Sequence, residues 1–259
     1  MATKQTNYRD VLAALPDWEA FLRAESGLPG PRANLELIYA AAELAGRERI
    51  EDLLAFLAAD AAGGSPGNSP EVFLGLCGVV ALGRLLADGD RSPLARLRQL
   101  ANDARWRVRE GVAMALQRWG DADLPGLLAE SAAWAGGSLL EQRAIAAALC
   151  EPRLLRDAPN ARAVLALLDE ITRRLAGAPA AERKGEAFQA LRKGLGYCWS
   201  VAVAARPEEG KRAFEAWAGC ADRDVQWVLR ENLKKNRLAR MDAAWVGIMG
   251  QSMEASKHE

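Results

Sequence analysis

The sequence predicts an all-α fold, a solenoid of antiparallel helix pairs, and three observations carry that prediction. First, a ten-residue pattern occurs twice, as Asp103-x-x-Trp106-x-Val108-Arg109-Glu110-x-Val112 and Asp224-x-x-Trp227-x-Leu229-Arg230-Glu231-x-Leu233. A pattern repeated in register marks a stacked unit rather than a unique loop. Second, nearly every segment places apolar residues at the spacing of one helix face, and the alternating Val/Ile/Thr runs of strands are absent. Third, Gly and Pro divide the chain at short intervals, so the helices are short and consecutive ones are antiparallel neighbours.

The elements follow in order. Helices over 8–15 and 17–26 are split by Pro16, and Leu28-Pro29-Gly30-Pro31 is a tight connector. A helix over 31–45 carries Pro31 in its first turn and stops at Gly46; the next covers 47–61. Gly63 to Pro70 reads as the most flexible loop, with Ser69 and Pro70 as N-cap and first residue of a helix over 71–87. The stretch from Val72 to Ala87 is the most apolar of the chain. Interrupted by Arg84 and several glycines, it reads as a buried helix rather than a bilayer span. Ser92-Pro93 repeats the cap before a helix over 94–101, and Asp103 caps one that reaches Trp119 and ends at Gly120. Further helices fit 123–135, 138–150, 160–176, 180–205, 207–219, 224–238 and 241–253. The organisation expected is one helical-repeat domain over 1–259: an N-terminal cap or degenerate repeats at 1–62, repeats at 70–255, and a polar tail at 255–259.

Composition narrows the function. Lys plus Arg (34) balance Asp plus Glu (34), so any nucleic-acid contact must come from a local patch. Cys77, Cys150, Cys198 and Cys220 form no CxxC and lie in apolar helical stretches, as buried free thiols of a reducing compartment would. The single histidine, His258, sits in the tail, which removes zinc sites and His-based nucleophilic triads from consideration. No phosphate-loop or dinucleotide fingerprint is present. The opening MATKQTNYRD lacks an apolar core of a signal peptide, so the expected location is cytoplasmic. Adjacent acids such as Asp169-Glu170 and Glu208-Glu209 diverge by about 100° on a helix and read as solvated surface. The expectation is therefore no catalytic residue, no metal and no cofactor.

Asp103, Val108, Arg109, Val112, Ala115 and Leu116 resemble the second helix of HEAT repeats, in the armadillo-like class of α-solenoids. Asp224, Leu229, Arg230 and Leu233 match that pattern in part, with Asn236 standing where a small apolar residue is expected. The resemblance covers 70–255. It implies a right-handed superhelix that acts as a binding scaffold, with Asp–Arg bonds between neighbouring repeats. Residues 217–242 also resemble a repeat of the HEAT-like bacterial alkylpurine DNA glycosylases, whose corresponding helix faces DNA with an aromatic and an arginine. Those enzymes draw a catalytic carboxylate from the preceding unit. Here that helix reads Leu191-Arg192-Lys193-Gly194-Leu195-Gly196-Tyr197-Cys198-Trp199 and offers no acid.

The candidate binding residues are Trp106, Arg105, Trp227, Arg230, Lys234 and Arg237. Trp106 and Trp227 are either stacking platforms or packing against the preceding repeat, the latter favoured. Arg109 and Arg230 either contact an anion or, as favoured, bond to Asp103 and Asp224. Lys234, Lys235, Arg237 and Arg240 form the densest basic run, joined by Arg105 and Arg107. It is read as complementing a helix C-terminus, with phosphate contact as the alternative. Trp18, Trp119, Trp134, Trp199, Trp217 and Trp245 read as packing residues. A protein partner is expected, DNA is the alternative, and neither a membrane nor a small-molecule cofactor is implied.

Overall fold

The computed structural model describes residues 4–62 and 67–255, without the side chains of 59–62 and 255. Gly63 to Pro66 of the expected loop and the tail carrying His258 lie outside the described residues. Those described form no strand. Their helices are α1 (Lys4–Ala14), α2 (Glu19–Glu25), α3 (Leu35–Leu44), α4 (Arg47–Ala62), α5 (Pro70–Ala87), α6 (Leu94–Ala101), α7 (Trp106–Ala135), α8 (Leu139–Leu149), α9 (Ala158–Ala176), α10 (Glu186–Ala205), α11 (Pro207–Ala218), α12 (Arg223–Leu233) and α13 (Asn236–Ala255), with a short 3-10 turn at Pro152–Leu155. The chain divides into two compact units, Met1–Asp123 and Leu124–Glu259.

Local chemistry sets the boundaries. Ser69 caps α5, its hydroxyl accepting from the Val72 amide at 3.1 Å, and Pro70 opens the helix as expected. α3 starts later than Pro31, because Asn34 caps it by accepting from the Leu37 amide at 3.2 Å. Before α6 the turn is held by Asp90, which accepts from both the amide and hydroxyl of Ser92 at 2.9 Å, so Ser92 does not cap. Gly120 does not end α7. The break comes at Asp123 (φ −143, ψ 71), in the turn before Pro125, which lacks an amide proton and whose ring clashes with the carbonyl four residues back in a continuous helix. α12 ends at Leu233, which places Asn236 at the start of α13 instead of inside α12. α13 breaks at Asp242, whose carboxylate then accepts from the Trp245 amide at 2.9 Å and restarts the helix.

In the first unit α5 is the central helix. It packs on α2, α3, α4 and α6. It is long and apolar enough to cross a membrane by length and composition alone, yet 72% of it is buried inside the fold. Its glycines admit close neighbours: at Gly83 a Cβ would stand 2.3 Å from the Ala115 carbonyl of α7. Arg107, at the start of α7, donates to Gly30 just before α3 and to Asn68 just before α5. Near the other ends of the same helices, Arg118 feels the charges of Glu43 and Arg84. Thus α3, α5 and the first part of α7 run the same way.

In the second unit α10 is central, packing on α8, α9, α11, α12 and α13. Trp199, Phe214 and Trp245 fill the core edge to face, with centroids 6.2 and 5.5 Å apart. Buried indoles find acceptors, as Trp199 does on Thr172 (3.0 Å) and Trp245 on Glu215 (2.7 Å). The wholly buried Asn232 of α12 ties into α10, donating to the Leu195 carbonyl at 2.9 Å and accepting from the Ser200 amide at 2.7 Å.

Candidate binding surface

The surface is built first from the turn that starts α12. Asp222 caps it, accepting from the amides of Asp224 (2.9 Å) and Val225 (3.0 Å). Its other oxygen accepts from Arg183 at 2.7 Å. Asp224 accepts from Arg183 at 2.9 Å and from Arg192 of α10 at 2.6 Å. These bonds to Asp222 and Asp224 favour the charged guanidinium of Arg183 and raise its pKa further. The two carboxylates thereby fix two arginines of the preceding helix pair.

The held Arg192 lies over the Trp227 ring, 4.1 Å from its centroid. The same indole abuts α10 at Gly196, where a Cβ would come within 3.1 Å of Cζ3. At the next residue Tyr197 is exposed, and the Arg237 guanidinium sits 4.6 Å over its ring while donating to its hydroxyl. Lys234 is exposed and pairs with Glu231, and Lys193 is exposed on α10. Of the expected residues, Trp227, Lys234 and Arg237 therefore border one stretch of α10 and α12. Arg230 is directed elsewhere: its Nη2 donates to Gln226 at 3.3 Å and to the Met253 carbonyl at 3.5 Å.

The first copy of the pattern is arranged differently. Arg105 is turned inward, 13% exposed, bonding Asp103 through Nε (2.8 Å) and Nη2 (2.7 Å) and the Leu57 carbonyl through Nη1 (2.7 Å). Burial acts to raise the Asp103 pKa, but the bonds from the Arg105 side chain and amide outweigh it and hold this carboxyl below the usual aspartate value. Trp106 is 52% exposed, with Arg107 4.5 Å from its ring centroid.

The Asp–Arg pairing expected from the pattern is thus corrected. Asp103 is held by Arg105, while Arg109 donates to the carbonyls of Asp103 and Ala104 at 2.7 Å. Asp224 is held by Arg183 and Arg192, not by Arg230. The reason is geometric. In the first copy Arg109 reaches back to the carbonyls of the entering chain, and in the second the Asp224 carboxylate points across to α10 while Arg230 turns to Gln226 and the Met253 carbonyl.

Sequence reasoning missed Arg183, Tyr197 and Asn232. A signal existed for Tyr197 alone, an aromatic on the same α10 face as Lys193 by helical spacing. The cysteines are all free. Cys77, Cys150 and Cys198 are buried, and burial pushes the thiols of Cys77 and Cys150 up. Among the described residues no three His, Cys, Asp or Glu side chains group as metal ligands. Comparison with family models, with curated proteins and with solved structures found no match.

Proposed function

We propose that this protein is a non-catalytic recognition module that binds a macromolecular partner, most simply a protein, through the α10–α12 face, each unit being a run of HEAT-like helix pairs. The repeat reading is supported by alternate helices that run the same way, each linked through an intervening helix. The observation that carries the binding reading is the row of stacked pairs, Arg192 on Trp227 and Arg237 on Tyr197. Such pairs present a flat apolar face beside unused donors, and aromatic and Arg side chains are the types enriched where interfaces are tightest. Asp224 preorganises the Arg192–Trp227 pair, which lowers the ordering cost of binding.

A DNA partner is the second reading, favoured by exposed Lys193 on α10, Lys234 just past the end of α12 and Arg240 on α13. Affinity capture with the native chain and with a Tyr197→Ala/Lys234→Glu variant tests the surface: a partner retained only by the native chain supports it, and equal retention sinks it. Duplex binding across a salt series separates the readings. A protein partner predicts shallow salt dependence, whereas steep dependence that disappears in the same variant would install DNA instead.

A further inference from the structure

The α10–α12 face carries positive charge in excess, in a chain whose 34 Lys and Arg balance 34 Asp and Glu. Two glycines of α10 show how that face is bounded. A Cβ at Gly194 would meet Arg143 Cγ of α8 at 3.3 Å, and one at Gly196 would meet the Trp227 ring of α12 at 3.1 Å. The two positions mark the opposite flanks of α10. At about 100° per residue, Lys193 and Tyr197 fall between those flanks, on the ridge left open, and both are exposed.

Cations gather around this ridge. Arg237 and Arg240 lie one turn apart at the start of α13, and Lys234 lies just past the end of α12. Arg237 spends a donor on the Tyr197 hydroxyl, a neutral acceptor. Lys234 pairs with Glu231, and Asp224 is already shared by Arg183 and Arg192. Among the described residues no carboxylate answers Lys193, Arg237 or Arg240. Three unanswered cations thus surround a tyrosine that is 45% exposed. Such a surface asks for negative charge and for an apolar group to cover the ring. A duplex supplies only the first. Its charges, one per about 1.7 Å of axis, also cannot avoid Asp224 and Glu231, which stand among the cations. The carboxylates of a peptide are spaced by its sequence and can.

We propose that this face recognises an acidic peptide segment of a partner protein, its carboxylates pairing with Lys193, Arg237 and Arg240 and an apolar side chain lying on Tyr197. The inference rests on the binding reading above and adds the chemistry of the partner. Complementary charge sets the register and speeds the encounter, and the covered ring supplies the contact that excludes water.

The test is fluorescence anisotropy at low salt with three labelled probes: a short peptide of repeated Glu-Glu-Phe, the same peptide with Gln for Glu, and a short DNA duplex. The native chain holds the acidic peptide about tenfold tighter than the neutral one, and Lys193→Glu/Arg240→Glu loses about tenfold of that affinity. Salt weakens this binding less than it would a duplex, because a short peptide has few condensed counterions to release. If the neutral peptide binds as tightly and Tyr197→Ala abolishes both, acidity is overturned and the face remains a binding surface. Equal binding of the acidic peptide by the native and charge-reversed chains places it elsewhere and overturns the proposal. A duplex preferred over both peptides, and lost in the same variant, overturns it in favour of nucleic acid. No binding of any probe overturns it too, since charge complementarity acts most strongly at low salt; the capture experiment then judges the face alone. Should the charge-reversed variant fail to fold, the two peptides compared on the native chain and on Tyr197→Ala decide.

Discussion

The two copies of the ten-residue pattern share Asp, Trp, Arg and Glu in register and yet are wired in opposite ways. At 103–112 the aspartate is closed within its own turn by Arg105, and Trp106 is left half in solvent. At 224–233 the aspartate reaches to the preceding helix pair, and Trp227 is covered by the arginine it anchors. The difference lies in positions the pattern leaves open. Arg105 corresponds to Gln226, and Arg107 to Val228. The helix on which the first copy packs, α5, is apolar and close-packed, whereas α10 offers Arg192 to the second. A shared motif therefore fixes where a helix starts, while the neighbouring helix decides what the motif's charges do.

The largest effect falls on the step into the first copy. Gly83→Ala places a Cβ against backbone that cannot yield, and denaturant melts should show a loss of about 3 kcal/mol or more. Next, Asp224→Ala leaves two partly buried arginines without their shared partner and costs about 2–3 kcal/mol. A loss under 1 kcal/mol would dissolve the contrast between the copies. Gly196→Ala meets only the rim of the Trp227 ring, which can shift, so its cost is about 1 kcal/mol, well below Gly83→Ala.

Asp103→Asn costs about 1 kcal/mol, since Arg105 keeps the Leu57 carbonyl. It also has a pH signature. A depressed native pKa adds stability above the ordinary aspartate pKa, and this is lost as pH falls through the native value. The variant should therefore lose less stability than the native chain in that acid window; parallel curves would contradict the pairing. Smallest of all, Trp106→Ala changes stability by about 0.5 kcal/mol or less, whereas a cost like that of a core tryptophan would mean its ring is packed.

The helical class, the Ser69 cap and the packing tryptophans were readable because they depend on residues close in sequence or on burial averaged over many positions. Asn34, Asp90 and Asp222 took over as organisers of their turns because several short polar side chains compete at each connector, and only the incoming direction of the chain chooses among them. The exposure of Trp106 and the half-burial of Trp227 were unreadable for a related reason. Each indole sits at the same place on its helix, and its cover comes from a residue far away in sequence: Arg192 for one, solvent for the other. Arg230 reads as the partner of Asp224 from the pattern, but the return of α13 past α12 brings a backbone carbonyl to it instead.

Asn232 has a consequence for how many arrangements α10 and α12 can share. Leucine and alanine faces tolerate sliding, since a shift by one turn along the helix exchanges one apolar contact for another of similar worth. The amide of Asn232 tolerates none. Its acceptor meets the Ser200 amide and its donors meet the Leu195 and Val228 carbonyls, all out of reach of water. Displaced along the axis by about 5.4 Å, the same group would be stranded in a greasy seam with its hydrogen-bonding capacity unmet. One polar side chain thus makes near-miss alignments of two slippery helices unfavourable, and the positions of Tyr197 and Trp227 relative to each other inherit that single setting.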